Sequence, residues 1–257
     1  ATRSRIKIGV TNAGRITAAE AEMIFQAGAF PGSMFDNAPK AMFTRYNLEN
    51  VKTVSYEVVC NRAKVNAFRA PCVPQVVFGV EGIIDELAQK LGMDPLELRL
   101  KNAATEGYKT VFGETFGPIG YVETLEAAMN CDHYKSPVPE GQGRGVATGF
   151  WCNRGGDTTG SLTITPDGSV TIMLGSSDVA GSRISISMMA AEELGIPVEK
   201  VRANLADTST LGNNRVTAGS RTTFSSGMVI IDSARQCIAE LVRRAAEIWD
   251  VPEDGVV

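Results

Sequence analysis

The chain has 257 residues, 44% apolar and 21% charged, which is ordinary for a globular protein and enough for one large domain or two moderate ones. A net charge of −4 with no basic stripe excludes a surface built for polyanions, so nucleic acid is not an expected partner. No apolar run approaches the roughly 20 residues that span a bilayer, and Arg3, Arg5 and Lys7 open an alternating segment that does not read as a secretory leader.

From the start, Ile6, Ile8 and Val10 fall on one face, Asn12 to Arg15 make a turn, and Ile16 to Phe25 return, which predicts a β-hairpin. Gly28 to Pro39 reads as loop, Ala41 to Tyr46 as a short helix and Val51 to Val59 as a strand. Pro71 and Pro74 keep residues 67–73 out of any sheet, and Pro74 suits the first turn of a helix that runs to Gly92. Val77, Phe78, Val80, Ile83, Ile84, Leu87 and Leu91 give that helix its apolar positions. Asp94 then caps a second helix, with Pro95 first and Glu97 as the reciprocal carboxylate.

Tyr121 to Met129 reads as helix, and 135–143 as a Pro/Gly linker, so a domain boundary falls between Gly113 and Gly143. Arg144 to Trp151 reads as a strand. Leu162 to Leu174 makes a hairpin about Pro166-Asp167-Gly168, since Asp-Gly favours tight turns. A helix over Arg183–Leu194, a strand over Val201–Leu205 and a long helix over Gly227–Ile248 complete the chain.

The five cysteines, Cys60, Cys72, Cys131, Cys152 and Cys237, are scattered without a C-x-x-C, and His133 is the one histidine. That pattern offers no metal-ligand set and reads as free thiols of a reducing cytosol. Two loops, 178–182 and 217–223, consist mainly of small residues and each precedes a helix. Small residues admit a ligand close to the backbone, and helix starts favour anions. Small polar loops are usually only caps and turns, so neither loop means much by itself.

The run Phe68-Arg69-Ala70-Pro71-Cys72-Val73-Pro74-Gln75, with Glu81, Ile84-Asp85-Glu86-Leu87-Ala88, Leu91 to Arg99 and Asn102, resembles the molybdopterin-binding subunit of the xanthine dehydrogenase/aldehyde oxidase family. The resemblance implies an α+β fold of two mixed α/β subdomains, 1–117 and 118–257, incomplete at both ends, as in a fragment or a split subunit. It implies cytoplasmic oxidation of an aldehyde or N-heterocycle C–H with oxygen from water and a glutamate as base. The cofactor would be molybdopterin, or its cytosine dinucleotide, with molybdenum held by the pterin and not by side chains. [2Fe-2S] and FAD would reside in partner subunits, alongside the remaining part of the molybdenum subunit, in a dimer of heteromers.

Position by position, the resemblance assigns cofactor binding to Phe68, Arg69 and Ala70, to Asp178, Gly181 and Ser182, and to Ala218, Gly219, Ser220, Arg221 and Thr222. It also shows departures. Ala180-Gly181-Ser182 stands where Gly-Gln-Gly is usual, Ala70 replaces a common Gly, and Pro71 lies where purine oxidisers carry an aromatic residue. Neither the preceding glycine-rich loop nor the later Gly-Glu motif of the base is found, so no catalytic residue is assigned. The rival reading is a scaffold or assembly subunit that keeps the fold but lacks a complete site.

Overall fold

The computed structural model describes residues 1–151, 155–179, 181–205, 207, 209 and 211–256. Ala180 and Cys152, named above, lie outside them. The chain forms two compact units, Ala1–Trp151 and Cys152–Val257.

In the first unit, β1 (Thr2–Val10) and β2 (Ile16–Gly28) form the predicted hairpin, and β3 (Val51–Val59) adds to β2 in parallel. Alternation explains the face that is buried: Ala19, Ala21, Met23 and Phe25 point inward from β2. A parallel neighbour needs a crossover, and α1 (Asn37–Met42) lies within it. The short helix therefore starts earlier than the predicted 41–46. Tyr46 instead leaves the helix and makes an isolated antiparallel bridge to Ala103.

Helix α2 (Val73–Leu91) packs on this sheet. Its buried stripe is Val76, Val80, Ile84 and Ala88, one residue per turn, whereas Phe78 is 85% exposed. Helix α3 (Pro95–Lys101) is capped as predicted: Asp94 Oδ1 accepts from the N–H groups of Leu96 at 2.8 Å and Glu97 at 3.1 Å. The reciprocal Glu97 bond is not among the bonds that form. Asp94 also accepts from the Tyr134 hydroxyl at 2.7 Å, and burial together with this bond pushes that phenol up to about 12. Asp94→Ala should therefore cost about 1–2 kcal/mol in denaturant unfolding, more than a cap with no second partner.

Helices α4 (Tyr121–Asn130) and α5 (Asp132–Lys135) follow, and Leu125 of α4 packs with Leu96 and Ala103. Residues 118–151 thus belong to the first packing unit. The strand expected at Arg144–Trp151 does not form. Its main chain is bound by side chains instead of a ladder: the Thr148 N–H donates to Glu81 at 2.8 Å, and the Val146 carbonyl accepts from Arg99 at 2.9 Å.

The second unit repeats the plan. Strands β4 (Gly160–Ile164) and β5 (Val170–Leu174) form the Asp-Gly hairpin, and β6 (Val201–Leu205) joins β5 in parallel after helix α6 (Ser182–Leu194). Helix α7 (Thr222–Trp249) begins five residues before the predicted Gly227 and buries Ser225 and Ser226. Ile172, Leu174, Ile186 and Ile230 form the centre of this core.

Candidate functional site

The loop before α2 is strained. Arg69, Ala70 and Cys72 have φ of 25°, 54° and 66°, in or near the left-handed region that costs a non-glycine residue about 1 kcal/mol or more. Phe68 is 86% exposed and Arg69 is exposed, so the loop presents both side chains outward. What braces it is the buried Cys72, whose thiol donates to the Ser33 carbonyl at 3.4 Å, and Val73, which starts α2 with a bond to the Ala70 carbonyl at 3.0 Å. Ser33 is fixed in turn by Glu57. That carboxylate takes the Gly32 N–H at 2.8 Å and also the Ser33 N–H; the Ser33 side chain first, then these two N–H groups, hold it below its usual range.

The two loops of the second unit are brought together. Val179 from one and Thr217, Ala218, Ser220, Thr222 and Thr223 from the other line a cavity of about 260 Å³. Their helix starts differ. At α6, Asp178 already occupies the donors: its carboxylate accepts from the Arg183 N–H at 3.2 Å, the Ser182 hydroxyl at 3.3 Å and Arg183 Nε at 3.0 Å. The Arg183 bonds, first of all, hold this acid below its ordinary value. At α7 the N-cap residue contributes no side-chain cap, and Ser220, Thr222 and Thr223 are among the residues that line the opening.

Arg221 turns away from this opening. Its Nη2 donates to the carbonyls of Gly156 at 2.9 Å and Asp157 at 2.8 Å and to Thr158 Oγ1 at 2.9 Å, and its Nη1 to the Val216 carbonyl at 3.1 Å. Gly156 makes room for it, since a Cβ there would lie 2.9 Å from Arg221 Nε. The guanidinium therefore shapes the loop from behind the opening.

The sequence motif also contained a residue whose role emerges only here. Glu81 is 3% exposed and accepts six hydrogen bonds: from Arg45 Nε at 3.1 Å and Nη2, Tyr46 Oη at 2.6 Å, Arg99 Nε at 3.0 Å, and Thr148 N at 2.8 Å and Oγ1 at 3.2 Å. Burial raises its pKa, but the Arg45 charge, the Tyr46 bond and the Arg99 charge outweigh that and leave it below normal. A carboxylate so saturated is unfit as a general base. Among the described residues no group of three His, Cys, Asp or Glu could hold a metal ion.

A molybdopterin cofactor-binding domain model matches residues 1–103, and a second one matches residues 119–257. The chain belongs to the molybdopterin cofactor-binding domain family. This member is 30% identical over 219 residues to the aldehyde oxidoreductase molybdenum-binding subunit PaoC of Escherichia coli O157:H7, covering 81% of this chain and 30% of that protein. It is 31% identical over 199 residues to the aldehyde oxidoreductase of Megalodesulfovibrio gigas, covering 72% of this chain and 22% of that protein.

The quinoline 2-oxidoreductase of Pseudomonas putida 86 shares the fold with a TM-score of 0.82 at 20% identity, over 100% of this chain and 36% of that one. The aldehyde oxidoreductase of Desulfovibrio desulfuricans ATCC 27774 aligns with a TM-score of 0.77 at 27% identity, over 92% of this chain and 28% of that one. The molybdopterin-binding chain thus spans about a third or less of the proteins that it matches. No described helix is long and apolar enough to cross a membrane.

Backbone and hydroxyl groups at the start of α7 suit a phosphate or the polar edge of a pterin. The cavity of about 260 Å³ accommodates part of such a ligand, being smaller than most whole-ligand pockets. The start of α6 contributes less, because Asp178 already satisfies it.

Proposed function

We propose that this chain is the cofactor-holding part of a molybdenum hydroxylase that oxidises an aldehyde or an N-heterocycle. The observation that carries the reading is the opening at the start of α7, where small residues and three hydroxyls adjoin a helix start. The main chain of Ala218–Thr222, with Ser220 and Thr222, would hold the pterin or its phosphate. Gly181 and Ser182 would contribute from the neighbouring loop, with Asp178 fixing that loop. Phe68, Arg69 and Ala70 would form a separate contact in the first unit, with Arg69 meeting an anionic group.

When bound, the molybdenum-bearing pterin, as such or as its cytosine dinucleotide, would supply the transfer of water-derived oxygen and the two-electron chemistry. The division of labour is the usual one: the cofactor supplies reactivity, and the protein binds, orients and excludes water. The base would come from outside the groups found here, since Glu81 is committed to its arginines. [2Fe-2S] and FAD partners would receive the electrons. We place the boundary between the two cofactor-binding domains at 117 and 118, within the stretch between the two family matches.

The decisive assay is molybdenum and pterin analysis of the protein isolated with its native partners. Molybdenum and pterin bound to the complex support the reading; a complex without either overturns it in favour of a scaffold subunit. Arg69→Ala should lower molybdenum content several-fold while leaving the unfolding curve unchanged, because the side chain is exposed. Unchanged metal content would remove Arg69 from the site.

A further inference from the structure

Among the described residues the two sheets have four edge strands: β1 and β3 in the first, β4 and β6 in the second. Edges are aggregation-prone and are commonly guarded by charge. Strand β1 carries Arg3, Arg5 and Lys7, β3 carries Lys52 and Glu57, and β6 carries Arg202. Strand β4, Gly-Ser-Leu-Thr-Ile, carries none.

A groove of about 550 Å³ runs along this unguarded edge, with Ser233, Cys237 and Leu241 of α7 as its far wall. Leu241 is 53% exposed. The Leu162 carbonyl faces the groove and accepts from the Cys237 thiol at 4.0 Å. In an antiparallel strand the N–H and C=O of one residue point the same way, and neighbours two apart share that side. Gly160, Leu162 and Ile164 therefore turn their main-chain groups to the groove, while Ser161 and Thr163 turn theirs to β5, opposite Met173 and Thr171. The charges at the rim neutralise one another, Glu240 pairing with Arg244 at 2.6 Å, and Arg243 beyond them is matched by Glu247. The groove thus suits an uncharged occupant.

Beside β4, helix α7 lines the groove with Gln236, Leu241 and Arg244. There is helix surface for another strand to lie on. The polypeptide to supply it exists in proteins of this kind, since the chain spans 30% of PaoC.

We propose that β4 accepts a fourth strand: an extended, uncharged segment with apolar residues at alternate positions, delivered by the further polypeptide of the same molybdenum subunit. Main-chain bonds to Leu162 and Ile164 would set its register, and its apolar side chains would cover Cys237 and Leu241, as in strand addition generally. This rests on the reading of the chain as part of a larger subunit, but not on the cofactor being bound.

The test is residue-resolved hydrogen exchange on the chain alone and on the native assembly. Ser161 and Thr163 should be protected in both. Leu162 and Ile164 should exchange quickly in the chain alone and about a hundredfold or more slowly in the assembly. The double variant Ser161→Lys, Thr163→Lys should keep the melting temperature of the chain and reduce its recovery in the assembly. Equal, fast exchange of Leu162 and Ile164 in both samples overturns the proposal. So does protection in the chain alone that grows with concentration, which would make a second copy the occupant. Molybdenum measured on the same assembly separates the two readings: a metal-free assembly with Leu162 and Ile164 protected removes the cofactor reading and keeps the fourth strand.

Discussion

Glu81→Gln should destabilise the first unit by about 3–5 kcal/mol, the cost of leaving buried charge without its counter-ion. The size follows from the partners. Arg99 is fully buried and Arg45 nearly so, and Glu81 binds both. Asp85, 2.8 Å from Arg99, is the other acid on that arginine and is part-exposed. The amide keeps the shape of the carboxylate but cannot balance two guanidinium groups, and its NH2 group would face donors. Chemical denaturation monitored by tyrosine fluorescence measures the loss. A change under 1 kcal/mol would mean that the cluster is solvated.

The same group sets a pH response. Its folded pKa lies below the ordinary 4.5, so it stabilises the fold above that value and ceases to as pH falls through the depressed one. The melting temperature of the native chain should therefore drop on acidification below pH 4.5, and the Gln variant should lose that part of the slope. Tyr46 works at the other limb. Burial raises it well above 10.0 against the lowering effect of Arg45, so its contribution is complete below that pH and fades as pH climbs further.

Arg221→Ala should destabilise the second unit by roughly 2–4 kcal/mol and, on the proposed reading, lower cofactor content at the same time. Four bonds disappear, three of them to carbonyls, and the fork that joins residues 156–158 to the start of α7 is gone. Arg221→Lys should recover little, because an ammonium cannot span the same set of acceptors. The measurement pairs an unfolding curve with molybdenum content at a temperature where the variant is folded. Full stability with lost metal would make Arg221 a direct ligand contact instead of the brace of the loop.

Local elements were legible because their signals are local. The hairpin of β1 and β2 follows from alternation, the start of α3 from Asp94 and Pro95, and the β4–β5 turn from Asp167-Gly168. Segment 144–151 was not legible: it alternates like a strand, yet its bonds go to Glu81 and Arg99, which lie 67 and 47 positions earlier in the chain. The candidate site divides in the same way. The small-residue loops stand out in the sequence, as does the departure at Ala70, a residue now seen at φ 54°. Whether Asp178 meets a ligand or caps its own helix, and whether Arg221 points to the opening or away from it, depends on neighbours that spacing does not reveal.

By itself, then, the sequence determined the two capped helices, both hairpins, the small-residue loops and the family to which their order belongs. Those features rest on backbone preference and on periodicity, which act over a few residues. Only the tertiary structure decided that Glu81 is the counter-ion of two arginines, that Arg221 is a brace, and that β4 is an unguarded edge beside α7. Each of these depends on which distant groups share a low-dielectric interior or a free hydrogen-bonding edge, and folding alone brings such groups together.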